Sequence, residues 1–158
     1  MKIVVYTDGA AKGNPGNGGY GVVMMYGSHR KEISEGFELT TNNRMELLSV
    51  IVALESLKKP DQSVIVYSDS KYVVDAVEKK WVFNWEKLGF KKKKNPDLWV
   101  RFLKVYRVHS VKFTWVKGHS LVKENERCDF LAVQAAESNS LKKDVWYEQN
   151  VVNDKGMF

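Results

Sequence analysis

The strongest constraint on how this chain folds is the order of its hydrophobic patterns. Three strand-like runs come first, then a helical wheel, then a strand that leads straight into another helix. Ile3 to Tyr6 is a β-branched and aromatic run that ends at Asp8-Gly9 and is followed by the turn-rich stretch Gly13-Asn14-Pro15-Gly16-Asn17-Gly18-Gly19. That reads as a strand entering a glycine-rich loop. Tyr20 to Tyr26 and Lys31 to Leu39 flank a short Gly27-Ser28 turn, a spacing that suggests an antiparallel meander with the first strand.

From Asn43 to Lys58 the period changes to that of a helix. Leu47, Leu48, Ile51, Val52, Leu54 and Leu57 cover much of the wheel, so this helix is expected to be largely buried, with Thr41 or Asn42 as its N-cap. Lys59-Pro60-Asp61 ends it. Val64 to Tyr67 then leads into Ser68-Asp69-Ser70, the start of a βα unit whose strand is expected to be parallel and central. Helical stretches rich in aromatic and basic residues span Lys71 to Lys94. Asn95-Pro96 supplies an N-cap and a first-position proline for a helix with Leu98, Trp99, Phe102, Leu103 and Tyr106 on its apolar face. Val111 to Val116 alternates as a strand, and Asn125 to Ser138 is a final helix. The expected fold is a mixed α/β sheet of five strands, three antiparallel then two parallel, with helices on both faces. A domain of residues 1–138 is expected, with a basic protrusion at about 79–95. Residues 139–158 read as a tail without a legible pattern.

A length of 158 residues suits one domain, and 44% hydrophobic with 28% charged residues is ordinary globular usage. Lys plus Arg outnumber Asp plus Glu by 25 to 19, a formal charge of +6 that is compatible with a polyanionic partner. The one cysteine, Cys128, excludes an internal disulfide and a multi-cysteine metal site. No apolar run is long enough to span a bilayer and the N-terminus reads as a strand, so a cytoplasmic monomer with no membrane partner is expected.

Ligands of such sheets gather near the carboxyl ends of the strands, which is where the acidic residues lie. Asp8 ends the first strand and Asp69 ends the strand of the βα unit; if the two strands are neighbours, their carboxylates meet. Glu46 falls in the opening turns of the buried helix and Asp129 early in the last one. Carboxylates forced together raise one another's pKa and oppose folding unless a cation neutralises them, and an oxygen-only set suits Mg²⁺ or Mn²⁺ rather than zinc. Two such ions about 3.5–4 Å apart suit in-line phosphoryl displacement. Taken singly, each acid has a blander reading as a turn residue, a first-turn decoration or a solvated side chain.

Six blocks in sequence change that balance: Thr7-Asp8-Gly9-Ala10, Gly13-Asn14-Pro15-Gly16, Thr40-Thr41-Asn42-Asn43-Arg44-Met45-Glu46-Leu47, Ser68-Asp69-Ser70, Trp115-Val116-Lys117-Gly118-His119 and Glu124-Asn125-Glu126-Arg127-Cys128-Asp129. In this order they resemble the bacterial type 1 ribonuclease H family, from Ile3 to about Ala136. The resemblance implies a ribonuclease H fold and hydrolysis of the RNA strand of RNA–DNA hybrids, giving 5′-phosphate and 3′-hydroxyl ends. It implies Asp8, Glu46, Asp69 and Asp129 as ligands of two Mg²⁺ ions in the substrate complex, with Mn²⁺ as a substitute. His119 becomes the loop histidine that assists proton transfer or product departure, a role suited to an imidazole titrating near neutrality, and Glu126 a candidate for product release.

Distinguishing RNA from DNA requires contact with the 2′-hydroxyl, and backbone groups around Gly9 with the side chains of Asn14 and Asn42 are the expected readers. Thr41 and Asn43 resemble residues that grip a DNA-strand phosphate, although helix capping would also explain them. Lys71 departs from the family, where close relatives often carry a neutral amide; a lysine there can hold a phosphate. Lys80, Trp81, Trp85 and Lys91, Lys92, Lys93 and Lys94 resemble a basic protrusion that holds the DNA strand, against the alternative of a solvated charge run over core tryptophans. A non-catalytic hybrid-binding module and a DNA-directed nuclease of the same fold are the alternatives. The complete acid set argues against the first, and the glycine-rich and Thr-Asn blocks against the second.

Overall fold

The computed structural model describes residues 2–118 and 122–152. Three long strands open the chain: β1 (Ile3–Lys12), β2 (Gly16–Tyr26) and β3 (His29–Thr40) form an antiparallel meander. The Gly27-Ser28 hairpin lies where expected, with Tyr26 opposite His29. The stretch from Gly9 onward is different from its expected form. It is not a loop: β1 continues to Lys12 and β2 resumes at Gly16, so only Gly13 to Pro15 turn the chain. Paired backbone hides in sequence here because glycine and alanine carry no strand-like side chains to announce it.

After α1 (Asn42–Glu55), β4 (Ser63–Ser68) pairs parallel with β1, and β5 (Ser110–Trp115) pairs parallel with β4. A sixth strand, β6 (Leu141–Lys143), pairs parallel with β3, so the order is β5-β4-β1-β2-β3-β6 and the expected count of five is one short. Three residues are too few to show a period, so this edge strand was illegible in the tail. The helical block from Lys71 to Lys94 resolves into α2 (Lys71–Glu78) and α3 (Trp81–Lys87), divided by Lys80 in a left-handed conformation. Phe90, Lys92 and Asn95 also have positive φ, so Lys91 to Lys94 lie in an irregular connection ahead of α4 (Pro96–Tyr106).

Helices cover both faces of the sheet. Ile3, Val5, Val22 and Met24 face α1, whose residues Met45, Leu48, Ile51 and Leu54 share one core with Trp99 and Phe102 of α4. Tyr6, Val23 and Met25 face the other way, onto Cys128 and Leu131 of α5 (Lys123–Ala136). α5 approaches so closely that a Cβ on Gly21 would lie 2.4 Å from the Cys128 carbonyl oxygen, a contact only glycine permits.

Arg44 ties these layers together. It is 2% exposed on α1, donates through Nε and Nη2 to Asp144 at 2.7 and 2.9 Å, and through Nη1 and Nη2 to Asp97 of α4 at 2.9 and 2.8 Å. Thr40 Oγ1 donates to Asp144 at 2.7 Å, and the guanidinium lies over the rings of Trp146 and Tyr147 at 5.1 and 5.6 Å. Burial alone would favour the neutral form, but hydrogen bonds to Asp97 and Asp144 outweigh it and hold Arg44 firmly charged. The tail is thereby fastened to the start of α1, continuing into α6 (Val145–Tyr147) and the turn Glu148–Val152. Asn95 takes part as well. It stands at the N-cap of α4 with Pro96 at the helix start, as expected, but its Oδ1 accepts from Arg44 Nη1 at 3.2 Å and its Nδ2 donates to the Tyr72 hydroxyl at 3.0 Å, so its side chain makes no capping bond.

Removing one member of a buried ion pair leaves the other charge stranded, at a cost of about 3–5 kcal/mol. Because Asp97 still holds Arg44, Asp144→Ala is expected near the lower limit, ~3 kcal/mol, measured as unfolding free energy in urea. A loss below ~0.5 kcal/mol, the scatter of ordinary surface substitutions, would mean that the tail docks without this contact.

Candidate active site

The parallel ladder between β1 and β4 runs from Ile3↔Val64 to Thr7↔Ser68. One residue further along, Asp8 and Asp69 emerge side by side, as anticipated for neighbouring strands. Asp8 is not at the end of its strand, however, since β1 continues its antiparallel pairing with β2 through Lys12. Glu46 is delivered by α1, which sits directly on β1: a Cβ on Gly9 would lie 2.4 Å from the Glu46 backbone nitrogen. Glycine at position 9 therefore sets the depth at which Glu46 enters the site. The start of α1 is fixed by Thr41, whose Oγ1 accepts from Arg44 N at 3.2 Å.

Asp8, Glu46 and Asp69 each offer a carboxylate oxygen within 4.8 Å of the other two. Burial, then the charge of Asp69, push the Asp8 carboxyl up to about 8, against the lowering effect of its hydrogen bonds with Glu46 and the Gly9 N–H. Glu46 is raised well above the usual carboxylate range, first by burial and then by Asp8 and Asp69. Glu46 Oε2 is enclosed and has no hydrogen-bond donor among the described residues. A hard, oxygen-only cluster with an unsatisfied buried acceptor fits a divalent cation of the Mg²⁺ or Mn²⁺ type. Asp129, half-exposed on α5, stands outside this group of three, although its charge adds to the field that raises Asp8.

Around the first hairpin, Asn42 Oδ1 accepts from Ala11 N at 2.6 Å and Asn14 Oδ1 accepts from Asn42 N at 3.2 Å, so both asparagines fasten the turn to α1. Asn43 is exposed beside them, and Glu126 is half-exposed on α5. His119 lies outside the described residues. On the basic side, Trp81 is 46% exposed with Lys79 over its ring at 5.2 Å. Trp85 packs edge-on against Trp99 of the core at 5.8 Å while Lys93 lies 5.0 Å from the centroid of its ring. Tyr72, Trp81, Trp85, Lys92, Lys93 and Lys94 line one groove of about 350 Å³. Lys80 leans on Phe83 at 6.0 Å. Lys71, the first residue of α2, lies 4.8 Å over the ring of Trp115.

Sequence reasoning missed Tyr72, which donors from Asn95 and Trp99 hold at 3.0 and 2.9 Å in the floor of the basic groove. It also missed Trp115, whose indole Nε1 donates to the Asp69 carbonyl at 3.1 Å. The Trp115-Val116-Lys117-Gly118-His119 block flagged the segment without separating the tryptophan from its neighbours.

Fold and acids together define a class of α/β proteins in which a central parallel strand pair carries a cation-compatible carboxylate centre. The family model described as RNase H matches residues 1–137. Ribonuclease H of Desulforamulus reducens is 57% identical over 149 residues, covering 91% of this chain and 93% of that protein. Ribonuclease H of Syntrophus aciditrophicus is 52% identical over 151 residues, covering 92% and 87%. Among solved structures, LC9-RNase H1, a type 1 RNase H with the type 2 active-site motif, superposes with a TM-score of 0.79 at 30% identity, over 97% of this chain and 83% of that one. LC11-RNase H1 in complex with an RNA/DNA hybrid gives 0.65 at 30% identity, over 86% and 97%. The chain belongs to the ribonuclease H family.

A carboxyl whose pKa is raised by folding stabilises the folded state fully only below its unfolded value and loses that contribution as pH rises through the folded one. For Asp8 the window runs from about 4 to about 8. Asp8→Asn is therefore expected to be more stable than the parent in EDTA, by ~1 kcal/mol or more at pH 8, a Tm rise of at least about 2–4 °C. The advantage should shrink towards pH 4. Calorimetry of both proteins across this range checks it, and an advantage that does not grow with pH would show that the carboxylates are not in repulsive contact.

Proposed function

We propose that this protein is a metal-dependent endonuclease that hydrolyses the RNA strand of RNA–DNA hybrids, leaving 5′-phosphate and 3′-hydroxyl ends. The observation that carries the reading is the cluster of Asp8, Glu46 and Asp69 within 4.8 Å, with two of its carboxyls displaced upward by burial and mutual charge. Asp129, whose field already reaches Asp8, completes the ligand set on this reading. Two Mg²⁺ ions, or Mn²⁺ in their place, supply activation of the attacking water and neutralisation of the departing oxygen when bound.

The protein's own groups do the rest. Asp8 and Asp69 are held by a strand register and Glu46 by a helix seated on Gly9, so the carboxylates are preorganised and need not move to meet the scissile phosphate. His119 is assigned the proton at the leaving oxygen, and Glu126 a part in product departure. Backbone groups at Gly9, with Asn14 and Asn42, are assigned the RNA 2′-hydroxyls. Those asparagines are already bonded to the hairpin, which makes them a rigid edge rather than free probes. Thr41 and Asn43 are assigned a phosphate of the DNA strand, with Lys80, Trp81 and Lys91 to Lys94 extending the contact along the basic groove. Trp85 contributes there by supporting the groove from below. On this reading the protein acts as a cytoplasmic monomer, its four acids and its basic groove all supplied by one chain.

The deciding assay presents end-labelled RNA–DNA hybrid, duplex RNA, duplex DNA and single-stranded RNA, each with Mg²⁺ or EDTA. Cleavage is expected of the hybrid alone, in its RNA strand and only with the cation. Asp69→Asn should nearly abolish turnover while hybrid binding persists. Comparable cutting of duplex DNA, or turnover indifferent to EDTA, overturns the assignment.

The basic groove makes a separate claim. If Lys91 to Lys94 meet phosphates, changing all four to alanine should raise KM and reduce the slope of log K against log salt by up to ~3–4, at about 0.9 per phosphate. Four lysines removed elsewhere provide the control for net charge. Equal slopes in the two variants would reduce the run to a solvated surface.

A further inference from the structure

Trp115 is the last residue of β5 and is 42% exposed, although Phe113 two residues earlier is in the core. Two contacts hold the ring at the surface. Its Nε1–H donates to the carbonyl of Asp69 at 3.1 Å, and the following Val116 N–H donates to the Ser68 carbonyl at 2.9 Å, so the end of β5 is stapled to the residues that deliver Asp69. The ring face carries the ammonium of Lys71 at 4.8 Å from its centroid. A Cβ on Gly118, just beyond, would lie 3.0 Å from Asp69 Oδ2, so this segment lies against the acidic cluster.

An ammonium two residues from a carboxylate cluster would ordinarily be drawn into it and neutralise it. Lys71 makes no ion pair among the described residues; the indole holds it instead. A cation on an exposed aromatic face gains about 0.5–1 kcal/mol, enough to favour one position of a flexible side chain without burying its charge. The arrangement stations a positive charge at the rim of the same site.

We propose that Trp115 and Lys71 form a phosphate anchor: Lys71 binds a backbone phosphate of the nucleic acid beside the carboxylates, and Trp115 is the positioning residue that stations it there. The anchor rests on the reading of the site given above. The contact is charged, so its contribution to binding is salt-dependent.

The test is binding of a fluorescently labelled RNA–DNA hybrid in EDTA, measured by anisotropy across a range of salt, for Lys71→Gln, Lys71→Arg, Trp115→Phe, Trp115→Leu and the double variant Lys71→Gln/Trp115→Leu. Lys71→Gln should weaken binding and reduce the slope of log K against log salt by up to ~0.9, while Lys71→Arg keeps the slope. Trp115→Phe preserves the ring face and should keep most of it. Trp115→Leu should approach the slope of Lys71→Gln, and the double variant should bind no worse than Lys71→Gln, as coupled residues do. An unchanged slope in Lys71→Gln overturns the anchor, and additive losses in the double variant overturn the part given to Trp115. If Trp115→Leu fails to fold, Lys71→Gln and Trp115→Phe still decide. Failure of the parent to bind the hybrid would strike the functional reading itself. A parent that binds and cleaves, with Lys71→Gln indistinguishable from it in slope, would strike the anchor alone.

Discussion

Three carboxylates inside one 4.8 Å cluster repel one another, and everything around them is arranged to hold them in place regardless. The restraint is provided by backbone. Asp8 and Asp69 follow adjacent rungs of a parallel ladder, and Glu46 rides on a helix whose approach is limited by Gly9. Both restraints act through backbone geometry, so the carboxylates are held close despite their mutual repulsion. The stability lost there has to come from burial and from ion pairs elsewhere.

One of those counterweights is close by. Arg44 precedes Glu46 by two positions and points to the opposite side of α1's first turn, into Asp97, Asp144 and the rings of Trp146 and Tyr147. Surface pairs act similarly: Arg127 of α5 binds Glu32, which its strand neighbour Arg30 also binds, and Arg30 reaches Glu124 on α5. Exposed pairs of that kind contribute little individually. The Arg44 group differs because Arg44 and Asp144 are buried, and it makes the tail part of the domain that presents Glu46.

Charge is thus sorted by location. Acids converge just beyond the β1–β4 ladder, one buried arginine locks the helix that carries Glu46, and Lys79, Lys80 and Lys93 lie over aromatic rings. Aromatic support recurs for Lys71 on Trp115, Lys79 on Trp81 and Lys93 on Trp85. Lysine is otherwise a flexible point charge, and a ring beneath it reduces the orientations it has to give up on meeting a phosphate.

What the sequence determined by itself was everything with a local signature. The strand–strand–strand–helix–strand order, the helix starting after Thr41 and the placing of Asp8 and Asp69 where strands β1 and β4 part company follow from periodicity and capping chemistry, which depend on residues a few positions apart. Six short blocks in order were enough to point to the family. Tertiary structure alone decided what depends on partners far away in the chain. The pairing of Ala10 to Lys12 with Asn17 to Gly19 replaced an expected loop, because small residues show no strand pattern until a partner strand is beside them. β6 and the Arg44–Asp144 pair join positions separated by about a hundred residues, the Asn95 side chain turns from its helix to Arg44 and Tyr72, and Trp115 finds Asp69 across the sheet edge. Such contacts are chosen when the whole core closes, since the energy that selects them comes from burying both partners at once, and neither partner's neighbours in sequence carry any record of the other.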